Sequence, residues 1–64
     1  MDTASLVKLI RKNAGLTQVN AAKLIGVTPR TWERWEAGTM QPTPAFLELF
    51  CMKTGQDFNK IIGK

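Results

Sequence analysis

Arg30, Glu33 and Arg34 fall three and four residues apart in the stretch GVTPRTWERWEAG, residues 26–38. On a helix this spacing puts all three on one stripe, with Trp32 and Trp35 on the other side. A guanidinium can give two parallel hydrogen bonds to guanine O6 and N7, and each such contact discriminates by about 1–3 kcal/mol. Glu33 can accept from cytosine N4 or hold an arginine in one rotamer. The blander alternative is a solvated face in which Glu33 makes weak local ion pairs with both arginines. A carboxylate among phosphates is costly unless paired, so its presence favours selectivity over bulk affinity.

Catalytic chemistry has no comparable support. The chain has no His, no serine with a plausible base, no paired carboxylates and no glycine-rich phosphate loop. Its single cysteine, Cys51, cannot close an internal disulfide, and without histidine a zinc site is close to excluded. The expectation is a non-enzyme with no cofactor, metal or small-molecule ligand, in a reduced, cytoplasmic compartment. Cys51 is then an inert core thiol. No apolar run is long enough for a membrane span, and no signal-peptide pattern opens the chain.

Sixty-four residues, 44% of them hydrophobic, allow one domain with one small core. Nine basic residues against five acidic give a net charge of +4, which favours a polyanionic partner. Charge by itself is weak evidence, so its placement must decide.

Placement follows from the helices. Each of the five glycines, at 15, 26, 38, 55 and 63, comes after a segment of helical periodicity and reads as a stop. Asp2 or Thr3 can cap a first helix to about Asn13. Thr17 caps a second to about Ile25, and Thr28 a third to about Ala37. Thr43 with Pro44 opens a fourth to about Lys53, and Asp57 a short fifth. Pro29 falls on the first helical position, where its missing N–H costs nothing, and Val27 and Trp32 have the spacing of a hydrophobic staple. The apolar stripes are Leu6, Leu9, Ile10 and Asn13; Ala21, Leu24 and Ile25; Trp32 and Trp35; Phe46, Leu49 and Phe50; and Phe58, Ile61 and Ile62. Both tryptophans are core residues on this reading, with Trp35 half exposed and its indole N–H outward. Met40 and Met52 have no assignment beyond packing. No strand or hairpin signal appears, so the chain is all-α.

The link from the second helix to the third is only Gly26-Val27-Thr28, short enough to force the steep crossing of a helix-turn-helix. Ala22 is small enough to let the third helix approach, and Val27 points inward. The stretch GLTQVNAAKLIGVTPRTWERWEAG resembles the helix-turn-helix of the lambda repressor and Cro-like (XRE-type) superfamily of phage and bacterial regulators. The matched features are Leu16-Thr17-Gln18, Ala22, Gly26-Val27 and Trp35-Glu36-Ala37-Gly38, and the likeness extends over roughly residues 3 to 63. WEAGTMQPTP resembles the DNA-binding domains of some antitoxins, and the compact tryptophan-rich form resembles anti-CRISPR-associated autoregulators.

The resemblance implies a five-helix, lambda-repressor-like fold over residues 1–64 with its helix-turn-helix core at about 17–37. It implies that Gln18 binds a phosphate and buttresses the recognition helix, and that Arg11 pairs with Glu36, where the unaided alternative is two solvated charges. Pro29 departs from the family pattern, which often has a base-reading glutamine or serine there. Base reading then shifts to Thr28, Arg30, Thr31, Glu33 and Arg34. Thr17, Gln18 and Lys23 form the phosphate-positioning set, together with Thr39 and Gln41 of a loop that lacks basic residues.

The function so implied is a sequence-specific regulator of transcription that binds double-stranded DNA. It is read as a dimeric autorepressor on an inverted-repeat operator, with the third helix in the major groove. Phe58, Ile61 and Ile62 are dimer candidates, or else they close the core. The alternative is an antitoxin-like interaction module that neutralises a partner and co-represses its operon. A nonspecific architectural or RNA-binding protein is a third class.

Overall fold

The computed structural model describes residues 2–63, which form five helices: α1 (Thr3–Asn13), α2 (Gln18–Ile25), α3 (Pro29–Ala37), α4 (Pro44–Lys53) and α5 (Phe58–Ile61). Side chains specify most of the starts. Asp2, not Thr3, caps α1, its Oδ1 accepting from the Ser5 N–H at 2.7 Å. The hydroxyls of Thr17 and Thr28 accept from the N–H groups of Asn20 and Thr31 at 3.1 and 3.2 Å, and Asp57 accepts from Lys60 at 3.1 Å. Thr43 differs, because it makes no side-chain cap bond. Only its carbonyl takes part, accepting from the Phe46 N–H at 3.1 Å, and Pro44 presets the helical φ.

The first four helices close alike. In each, an N–H reaches back five residues, as from Val27 to the Ala22 carbonyl at 3.0 Å and from Thr39 to the Arg34 carbonyl at 3.1 Å. This closure needs a left-handed residue just before the donor, and Gly26 (φ +77°) and Gly38 (φ +80°) supply it for α2 and α3.

In the packing, α2 lies against α3, α1 across α3, α4 against α2, and α5 against α4. The core they enclose holds Val7, Ile10, Ala21, Ala22, Ile25, Trp32, Trp35, Leu47, Phe50 and Cys51. Its centre is aromatic. The Trp32 ring lies 5.0 Å from Phe50 and 5.4 Å from Trp35, which is 5.6 Å from Phe46, all in tilted arrangements within the separation of interacting aromatic pairs.

Several apolar residues sit where periodicity does not put them. Leu9 and Leu49 are exposed, whereas Val7, Leu47 and Cys51 take the buried places. Each of these helices carries apolar residues at i, i+1, i+3 and i+4, an arc of about 160° at 3.6 residues per turn. The core covers only part of that arc, and on both helices it covers the Val7 or Leu47 edge. Trp35 is 3% exposed, not half exposed, because α4 brings Phe46 over its ring. Met40 and Met52 are both exposed, Met52 by 73%, so neither belongs to the core. Asn13 is exposed and bonds Gln56 at 3.4 Å, while Pro42 in the α3–α4 loop is buried. Among the described residues no helix is long and apolar enough to cross a membrane.

Candidate nucleic-acid interface

The turn from α2 to α3 is built from small parts. Ala22 is fully buried where α3 approaches, and Val27 packs half-buried against the core just before the cap. With Trp32 and Trp35 turned inward, the opposite side of α3 is left to Arg30, Glu33 and Arg34, all exposed. Among the described residues the one salt bridge joins Arg11 to Glu36, so Glu33 forms none with either arginine. The guanidinium groups of Arg30 and Arg34 are therefore open to a ligand.

At the front of α3 the hydroxyls of Thr28 and Thr31 lie 2.9 Å apart. At its back, the Arg34 carbonyl accepts from the N–H groups of Thr39 and Met40 at 3.1 and 3.3 Å, and from the Thr39 hydroxyl at 3.4 Å. Those two backbone donors are thereby committed, and the exposed Gln41 begins the part of the loop that is free of them. Thr17 and Lys23 are exposed on α2, and Gln18 is half-buried at its start.

Beneath this surface, one carboxylate gathers four donors. Glu36 Oε2 accepts from Arg11 Nε at 2.6 Å and from the Trp32 indole N–H at 2.5 Å. Its Oε1 accepts from Arg11 Nη2 at 3.1 Å and from Gln18 Nε2 at 3.3 Å. Arg11 also donates from Nη1 to the Leu16 carbonyl at 3.0 Å. The side chains of Arg11 and Glu36 are 14% and 7% exposed, so this is a shielded junction of α1, α2 and α3. Burial pushes the Glu36 carboxyl up, but hydrogen bonds from Arg11, Trp32 and Gln18 and the charge of Arg11 outweigh it and hold the group below its usual range. The hydrogen bond that Arg11 gives to Glu36 in turn raises the pKa of Arg11. Cys51, a buried member of the core, is a free thiol that burial pushes up.

The indole donor is the member of this junction that sequence reasoning missed. Trp32 and Glu36 are four apart on α3, a spacing at which side chains meet, but the apolar stripe had already accounted for Trp32. Phe58 and Ile61 pack partly buried against the core, and Ile62 is exposed at its edge.

Residues 4–57 match the family described as a helix-turn-helix domain. The chain belongs to that family. Helix-turn-helix domains are DNA-binding modules. This helix-turn-helix domain is 35% identical over 54 residues to the Type II methyltransferase M.MspI of Moraxella sp, an alignment that covers 84% of the chain and 13% of the methyltransferase. It is 28% identical over 58 residues to Antitoxin PezA of Streptococcus pneumoniae serotype 4, covering 91% of the chain and 37% of the antitoxin. The domain thus spans well under half the length of either relative. No solved structure matches it significantly.

Proposed function

We propose that the chain is a sequence-specific transcriptional regulator that binds double-stranded DNA, acting in the cytoplasm as a dimeric autorepressor on an inverted-repeat operator. Arg30 and Arg34 read guanines, Glu33 reads cytosine or steadies an arginine, and Thr28 and Thr31 complete the reading face. Gln18, Thr17 and Lys23 hold phosphates at α2, and Gln41 does so from the loop, where Thr39 has a positioning role through its bonds to the Arg34 carbonyl. One domain covers only a few base pairs, so two copies on half-sites about one helical turn apart supply the specificity. Ile62, with the outer edges of Phe58 and Ile61, is the proposed contact between copies.

The observation that supports this reading is the division of α3, with two buried indoles on one side and two exposed, unpaired guanidinium groups on the other. Selection of bound duplexes from a random library at physiological salt tests it. An enriched inverted repeat is expected. Equal recovery of scrambled duplexes would reject sequence-specific regulation and favour the nonspecific class.

Likeness to an antitoxin over 91% of the chain favours a second reading, in which the domain also binds a protein partner and represses jointly with it. Co-purification with the product of a neighbouring gene, surviving high salt, is the result this reading requires.

A further inference from the structure

We propose that Trp32 is a positioning residue for DNA binding: its indole N–H, acting through the Glu36 carboxylate, sets the Gln18 amide that faces the phosphate backbone. The inference rests on the DNA-binding reading above and adds a coupling between grip on the backbone and the seat of the recognition helix.

The two oxygens of a carboxylate offer about four lone-pair sites, and Glu36 has four donors on it, two per oxygen. Each donor restricts where the others can sit. Arg11 grips both oxygens, Nε on Oε2 and Nη2 on Oε1, and the indole adds a second donor on Oε2; together they orient the carboxylate plane and place Oε1 for Gln18. Because an ionised carboxylate only accepts, the Gln18 amide must turn its Nε2 towards Glu36. Its carbonyl and its second N–H are then left for the solvent side of α2. Thr17 occupies the N–H of Asn20, so the N–H groups of Gln18 and Val19 remain at the open end of the helix beside that amide. A phosphate drawn there meets donors whose direction Trp32 has helped to set. Trp32 and Glu36 both sit on α3, so any shift of that helix carries the indole N–H and the carboxylate together relative to Gln18 on α2.

The test uses the duplex recovered by selection, with one neutral methylphosphonate placed at each backbone position in turn. Neutralising the phosphate that Gln18 holds should weaken the wild type about tenfold, and Gln18→Ala should erase the loss at that position, which assigns it. Trp32→Phe removes the N–H together with the second ring of the buried indole, so the position-by-position readout, and not overall affinity, separates the lost bond from the cavity. The variant should cut the loss there to about threefold or less and leave other positions unchanged. An undiminished tenfold loss in Trp32→Phe, or no position altered by Gln18→Ala, overturns the proposal while leaving DNA binding intact. A wild type that binds no duplex overturns both. Should Trp32→Phe fail to fold, NMR of the intact protein decides. The Trp32 indole N–H resonance should shift more with the native duplex than with the one neutralised at the assigned position, and equal shifts refute the coupling.

Discussion

Arg11 meets Glu36 edge-on, Nε to Oε2 at 2.6 Å and Nη2 to Oε1 at 3.1 Å, and this fork ties the last turn of α1 to the last turn of α3. The residues lie 25 apart in the chain, so the pair sets tertiary geometry and not local helix stability.

Removing one partner should therefore be costly. Arg11→Ala or Glu36→Ala leaves a charge in a site about nine-tenths shielded, and a destabilisation of about 3 kcal/mol is expected. Urea unfolding followed by tryptophan fluorescence measures it. A loss below about 0.5 kcal/mol would mean that the pair behaves like a solvated surface contact.

The same carboxylate makes stability depend on acid. Its folded pKa lies below the unfolded value, so its contribution is fully present above the unfolded pKa and is lost as pH falls through the folded one. Asp2, lowered chiefly by the Ser5 N–H, has the same sign. Unfolding midpoints taken from pH 7 downward should fall steadily below about pH 5. In Glu36→Gln the slope over that range should be shallower; an unchanged slope would assign the acid sensitivity to other groups.

Gly26 offers a test of the turn. A Cβ there meets nothing within 4 Å, so the cost of Gly26→Ala comes from φ +77° alone. About 1 kcal/mol is expected. The equilibrium midpoint should drop while the far-UV helical signal per folded molecule stays constant.

Arg30 and Arg34 should differ from Lys23 in what they control. Arg30→Ala and Arg34→Ala are expected to relax preference at particular base positions, by about 1–3 kcal/mol each. Lys23→Ala should weaken all duplexes alike and lower the salt slope by about one. Competition binding against single-base variants at two salt concentrations separates the two patterns. Uniform weakening by the arginine variants would remove them from base reading.

Helix limits were legible because the signals that set them are local. Asp2, Thr17, Thr28 and Asp57 act on N–H groups three residues away, and glycines at 26 and 38 end helices within one turn. Whether Val7 or Leu9 is buried is a different kind of question, since both belong to one apolar arc and only the neighbouring helices choose between them. Pro42 was invisible for the same reason: its burial depends on the path of a loop whose composition reads as exposed. The outward stripe of Arg30, Glu33 and Arg34 was readable from spacing, because two indoles leave a short helix little choice of inner face. Trp32 as a donor was not, because its hydrophobic role hid its polar one.

The contact between the hydroxyls of Thr28 and Thr31, 2.9 Å apart, has an arithmetic of its own. Two hydroxyls carry two protons, and one of these must lie between the oxygens. The other stays outside, on Thr31 when Thr28 is the internal donor and on Thr28 when the bond runs the other way. Exchanging the two states requires only that hydrogens rotate. The leading edge of α3 can thus offer its spare proton from either of two places, three residues apart, with every carbon and oxygen at rest.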